Sequence, residues 1–147
     1  MSDLQPTAGA YFGTDHHLPI RVYFEDTDFS GLVYHANYLR YFERARSDML
    51  RCLRIDQKAA FDEGTGVYAV AEMTIRYKRP ARYDDALIII SKVEAIRAAS
   101  CLIHQRVMRD GELLCEAEVL AAFLSPDGRP RRQPARWVSA FESLLKK

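Results

Sequence analysis

Residues 34–53, YHANYLRYFERARSDMLRCL, and residues 67–78, VYAVAEMTIRYK, decide the fold between them. In the first, Leu39, Phe42, Ala45, Met49, Leu50 and Leu53 recur at three- and four-residue spacing, with Arg40, Arg44, Asp48, Arg51 and Arg54 opposite. That period predicts a long amphipathic helix. Tyr38 and Tyr41 widen the apolar stripe, so the helix should lie deep against a sheet. In the second stretch the period drops to two. Val67, Ala69, Ala71, Met73, Ile75 and Tyr77 fall on one face, and Tyr68, Val70, Glu72, Thr74, Arg76 and Lys78 on the other. This predicts a long strand with one apolar face.

Leu18 to Glu25 reads as a strand, and the EDTDFSG run (residues 25–31) reads as a loop. After Pro80 and Asp84-Asp85, Leu87 to Ala95 reads as a strand. Cys101–Arg109 and Glu112–Leu124 follow as a hairpin joined across Asp110-Gly111. Pro134 to Lys147 predicts a short closing helix. Residues 1–17 read as a flexible arm ahead of one domain over 18–147. His16 and His17 fall in that arm, and no metal role is assigned to them. The predicted order is β-α-β-β-β-β, an α+β chain with a five-stranded antiparallel sheet wrapped around one long central helix. One helix cannot cover such a sheet completely, so a symmetric partner is expected, as a homodimer or homotetramer.

At 147 residues the chain is long enough to bury a core without staples. Its 21 basic and 20 acidic residues nearly cancel, which argues against an extended nucleic-acid surface. Cys52, Cys101 and Cys115 have neither disulfide-framework nor zinc spacing. Their apolar neighbours suit a reducing compartment. The polar N-terminus lacks signal-peptide character, and the run Ala86–Ile90 is far too short to span a bilayer. A cytoplasmic protein without a transmembrane segment is expected.

The chemistry concentrates in residues 21–46, RVYFEDTDFSGLVYHANYLRYFERAR. An acid-rich loop and Gly31 lead directly into the helix start. A helix start presents unpaired N–H groups and a positive dipole end, which can hold a developing oxyanion. Asp28 lies seven residues before His35, close to that start. A carboxylate beside an oxyanion site suits acyl transfer. Gly31 is read as a position needing a backbone conformation closed to other residues.

Glu25-Asp26-Thr27-Asp28, Gly31, Val33-Tyr34-His35, Asn37-Tyr38 and Glu43-Arg44-Ala45-Arg46 together resemble the active-site signature of the hotdog acyl-CoA thioesterases related to 4-hydroxybenzoyl-CoA thioesterase. Among these the likeness is to the YbgC type, associated with the Tol-Pal envelope system. The resemblance covers roughly residues 19–124. It implies a hotdog fold and hydrolysis of acyl-CoA to a carboxylic acid and coenzyme A, with no metal and no cofactor. Asp28 then matches the catalytic carboxylate, as nucleophile or as general base on water, and His35 an assisting histidine. Val33, Tyr34 and His35 match the segment whose backbone N–H groups polarise the thioester carbonyl. Tyr23, Gly31 and Glu43 are assigned to site support. The pair Tyr23-Phe24 departs from a Tyr-Tyr pair common in such members, so a hydroxyl is absent there.

Two basic clusters, Lys78-Arg79 with Arg82 and Arg129 with Arg131-Arg132, are candidates for coenzyme A phosphates. Acyl carrier protein and envelope-complex proteins are the partners the resemblance suggests. Two other readings stand beside hydrolysis. One is an acyl-thioester hydratase or dehydratase on the same fold, although no Asn-Pro precedes His35. The other is a binding module for acyl carriers or envelope complexes with little turnover.

Overall fold

The computed structural model describes residues 4–145. The chain order is β1 (Ala10–Phe12), β2 (Asp15–Arg21), a single helical turn at Phe24–Asp26, α1 (Asn37–Cys52), α2 (Gln57–Asp62), β3 (Val67–Tyr77), β4 (Ala86–Ile96), β5 (Ser100–Arg109), β6 (Glu112–Leu124) and α3 (Ala135–Ser143). All strands join one antiparallel sheet in the order β1-β2-β4-β5-β6-β3. Tyr38, Tyr41, Phe42, Ala45, Met49 and Leu50 turn the apolar stripe of α1 onto it. This is the α+β hotdog arrangement. Asp110 and Gly111, at φ 50° and 80°, make the tight β5–β6 turn that Asp-Gly predicts. Among the described residues no helix is long and apolar enough to cross a membrane.

Four features depart from the expectations above. The sheet has six strands, because β1 and β2 take in residues 10–17 of the expected arm. His16 is fully buried there, with Nε2 2.7 Å from Asp48 Oδ2 on α1. Gly9 N donates to the same oxygen at 2.8 Å, and Cys52 Sγ approaches it at 3.6 Å. A polar segment with no apolar period is thus clasped by one carboxylate, a tie that only tertiary structure reveals. Secondly, Phe24–Asp26 is a helical turn, so the first long strand ends at Arg21. Thirdly, Asp56 caps a short helix, α2, by accepting from Ala59 N at 2.9 Å. It is too short to declare itself by periodicity.

Finally, β3 does not keep one apolar face. The register against β6 shifts between Val70 and Glu72, a β-bulge that inverts the facing at Ala71. Tyr68, expected outward, packs on Phe123 and Trp137. Beyond the bulge Met73 and Ile75 pack inward instead.

The interior forms two apolar clusters. One holds Val22, Val33, Tyr38, Tyr41, Phe42 and Val107; the other holds Met49, Leu50, Ile103, Phe123, Trp137 and Phe141. A polar seam joins α1 to the sheet close to both. Arg46 donates to Gln105 Oε1 at 3.0 Å, and Gln105 Nε2 donates to Phe42 O at 3.0 Å and Ser91 Oγ at 2.8 Å. Ser91 and Gln105 are fully buried, and this network satisfies both.

Burial holds the His16 imidazole below its ordinary pKa, only partly offset by Asp48. The unfolded ring titrates near about 6.5. A depressed folded pKa means that stability is fully present above that value and is lost as pH falls below it. Thermal midpoints should therefore fall between pH 7.5 and pH 5.5. His16→Gln keeps a donor for Asp48 without titrating, and should flatten the fall. An equal slope in that variant would remove His16 from the cause.

Candidate active site

The loop that carries Asp28 is pinned at its base. Thr27 and Val33 form an antiparallel bridge, and Asp28 N donates to Leu32 O at 2.8 Å. Gly31, at φ +84°, closes the turn with its N–H on Asp28 O. A side chain there would be strained by the backbone alone, as expected from the sequence. Asp26 is buried and structural: its carboxylate accepts Tyr23 N at 2.9 Å. Its carbonyl accepts Tyr34 N at 2.9 Å and Asn37 Nδ2 at 2.7 Å. Asp26 thus fixes the start of α1 against the loop.

Asp28 itself is exposed, on an open cleft of about 410 Å³ that Tyr34, Ala36, Asn37 and Arg40 also line. Its Oδ1 accepts Ser30 Oγ at 2.5 Å and Ser30 N at 2.8 Å. These bonds hold the carboxyl below the usual carboxylate range, with smaller help from backbone N–H groups. Asp28 is therefore anionic at neutral pH and aimed by a local Asx turn. The Ser30 contribution follows from the Ser two residues after Asp, a local pattern left unused in reading the loop. Ser30→Ala should raise the Asp28 pKa. The acid limb of a pH–rate profile for thioester hydrolysis would then move to higher pH, with a rate loss of about tenfold or less from looser positioning. An unmoved limb would show that Ser30 does not tune the reacting group.

The three expected backbone donors are not equivalent. Val33 N is spent on Ala81 O and Tyr34 N on Asp26 O, both at 2.9 Å. Those two N–H groups are committed to holding the loop. The N–H groups of His35 and Ala36 donate to nothing among the described residues, and α1 begins directly after them. The His35 ring is exposed and lies tilted at 53° to the Tyr34 ring, with centroids 4.6 Å apart, while the His35 carbonyl accepts Tyr77 Oη at 3.0 Å. Tyr23 is exposed and touches the site through its backbone only. Arg40, in the cleft, was not singled out from the sequence; its place one turn into α1 is its only signal.

Glu43 lies away from Asp28, at the mouth of a second, more enclosed cavity of about 180 Å³ under the middle of α1. Arg46, Ser47 and Gln57 share the mouth, and Met49, Leu50, Val93, Ile103, Ala121 and Phe141 are among the walls. Among the described residues no carboxylate reaches within 4.0 Å of Arg46, and Glu43 acts on it only at longer range.

The basic clusters stand at opposite ends of β3. Arg82 bridges to Leu32 beside the Asp28 loop. Lys78 and Arg79 are paired with Glu116 and Glu112, at 3.9 and 3.0 Å. The Arg82 guanidinium has no acidic partner among the described residues, and neither has that of Arg40, which lines the Asp28 cleft itself. Arg129 faces Asp127, and Arg131 caps the carbonyls of Gly64 and Thr65. Arg132 is exposed at the same far end.

Residues 22–144 match the model of the thioesterase-like superfamily. The acyl-CoA thioester hydrolase YbgC of Escherichia coli is 41% identical over 126 residues, covering 84% of this chain and 93% of that protein. The acyl-CoA thioesterase YbgC of Haemophilus influenzae is 41% identical over 127 residues, covering 86% and 93%. The crystal structure of a probable thioesterase from Bartonella henselae superposes with TM-score 0.78 at 35% identity, covering 82% of this chain and 99% of that one. A 4-hydroxybenzoyl-CoA thioesterase shares the fold, at TM-score 0.79 and 22% identity over 86% of this chain and 98% of that one. A family model spanning most of the chain, and relatives matched over nearly their whole length, place this protein in the thioesterase-like superfamily.

Proposed function

We propose that the protein is a thioester hydrolase that cleaves acyl-CoA to a carboxylic acid and coenzyme A. The observation that carries the reading is the pairing of an ionised Asp28 with unspent N–H groups at the start of α1. The thioester carbonyl lies against the His35 N–H, where the helix dipole favours the growing negative charge. Asp28 attacks the carbonyl carbon or takes a proton from the water that does. The tetrahedral intermediate then collapses and expels coenzyme A thiolate, which leaves without strong acid assistance. Where Asp28 itself has attacked, water then cleaves the resulting Asp28–acyl anhydride to release the carboxylic acid and restore the carboxylate. No residue in this scheme calls for a metal or an organic cofactor.

Asp28 faces open solvent in a single chain, and so do the aromatics Tyr23, Phe24, Phe29 and Tyr34 of the same segment. A second copy covering them completes the site and dries it, as a homodimer or a dimer of such dimers. Arg82 is the first candidate for a coenzyme A phosphate, with Lys78 and Arg79 beside it. The reading extends to a cytoplasmic enzyme near the Tol-Pal envelope complex, with acyl carrier protein as a further partner. The test is thiol release from a panel of acyl-CoA thioesters by the purified protein. Absence of release across the panel, with the protein folded, would overturn the proposal.

A further inference from the structure

The cavity under α1 has no part in the chemistry at Asp28, yet the fold keeps it. We propose that it receives the distal methylenes of the substrate's acyl chain, which makes the preferred substrate a medium- to long-chain fatty acyl thioester. This rests on the thioesterase reading and adds a substrate class to it.

Three observations carry the inference. The first is volume and lining: about 180 Å³, with Met49, Leu50, Val93, Ile103, Ala121 and Phe141 among its walls. An apolar cavity of about 150 Å³ admits benzene, so this one holds about seven carbons. The second is the mouth. Glu43, Arg46, Ser47 and Gln57 frame it. The tie from Arg46 to Gln105 holds the guanidinium to one side, and its aliphatic stem can lie along the chain. The third is position along α1. Ala36 lines the Asp28 cleft, Leu39 is exposed, and Glu43 and Ser47 reach the cavity mouth. At three- and four-residue spacing these lie on one side of the helix.

The distance sets the chain length. From Asn37 to Glu43 the helix rises about 9 Å. An extended alkyl chain advances roughly 1.3 Å per carbon, from carbon–carbon bonds of about 1.5 Å. About seven carbons therefore lie on the helix before the tail enters, and further carbons gain by leaving water. Chains of about 10 to 14 carbons fill the cavity, whereas butyryl does not reach it.

The test compares dodecanoyl-CoA with butyryl-CoA on the wild type and on Ala121→Phe, with Val70→Phe, from the paired position on the neighbouring strand, as a second filling variant. Circular dichroism and thermal midpoints verify folding, and a rise in midpoint is expected where the void is filled. The wild type should favour dodecanoyl on the order of 100-fold in kcat/KM. The filled variants should bring that ratio down at least tenfold. Calorimetric binding of dodecanoate, which needs no turnover, should be present in the wild type and lost in the variants. Unchanged ratios and unchanged dodecanoate binding in a folded variant would overturn the cavity's role and leave hydrolysis standing. Conversely, no turnover of either thioester would overturn hydrolysis, and dodecanoate binding alone would then decide the cavity's role.

Discussion

Asp28→Asn should lower thioester hydrolysis by roughly three orders of magnitude with little change in KM, read as thiol released per enzyme. An amide is neither a nucleophile nor a base at neutral pH, and removing a positioned proton acceptor costs about 10²–10⁴-fold. The variant separates chemistry from folding. An asparagine Oδ1 can still accept the Ser30 N–H and hydroxyl that hold this loop. The turn closed by Gly31 and the bridge from Thr27 to Val33 do not involve the side chain at all. Stability should thus change by less than about 1 kcal/mol. Residual activity would come from the backbone donors at the α1 start, which the substitution leaves in place. Wild-type turnover in the variant would shift the reacting group elsewhere, and Glu43 would be the next carboxylate to test.

The second large effect concerns the seam beneath α1. Gln105→Leu should destabilise the protein by about 2–4 kcal/mol, seen as a thermal midpoint lowered by roughly 10 °C. Leucine fills similar space but offers no hydrogen bond. Arg46 loses its acceptor, and the buried Ser91 hydroxyl and Phe42 carbonyl lose a donor. Stranding a half-buried cation is the costly part. Replacing the whole seam is a different experiment: Arg46→Met with Gln105→Leu and Ser91→Ala removes the groups that would be stranded. The triple variant should recover at least half of the loss. If Gln105→Leu alone costs less than about 0.5 kcal/mol, the seam contributes no stability.

The elements that the sequence disclosed are those whose signals are local and repeated. The stripe from Leu39 to Leu53 located α1 within a few residues, Asp110-Gly111 placed the β5–β6 turn, and the EDTDFSG run marked the loop that carries Asp28. What stayed hidden depends on contacts between distant segments. His16 looked like part of a polar arm because its partner, Asp48, is 32 residues away. The β3 bulge breaks a two-residue period that sequence alone carries through unchanged. Val33 and Tyr34 stood level with His35 as donors until Ala81 and Asp26 were seen to consume their N–H groups. The cavity could not be foreseen from Met49 or Ile103, which would be as apolar in a filled core.

The inversion at Ala71 also bears on how this protein behaves when concentrated. β3 ends the sheet and leaves one side of its backbone unpaired within the chain. A long, regular free edge is a template on which further chains stack without limit. The bulge divides that edge into Val67–Val70 and Glu72–Tyr77, each out of phase with the other. A chain that pairs with one segment meets the wrong spacing at the next, so open-ended growth into fibres is frustrated. Deleting Ala71 would restore one unbroken edge, so a residue that contributes little to packing serves as the protein's guard against aggregation.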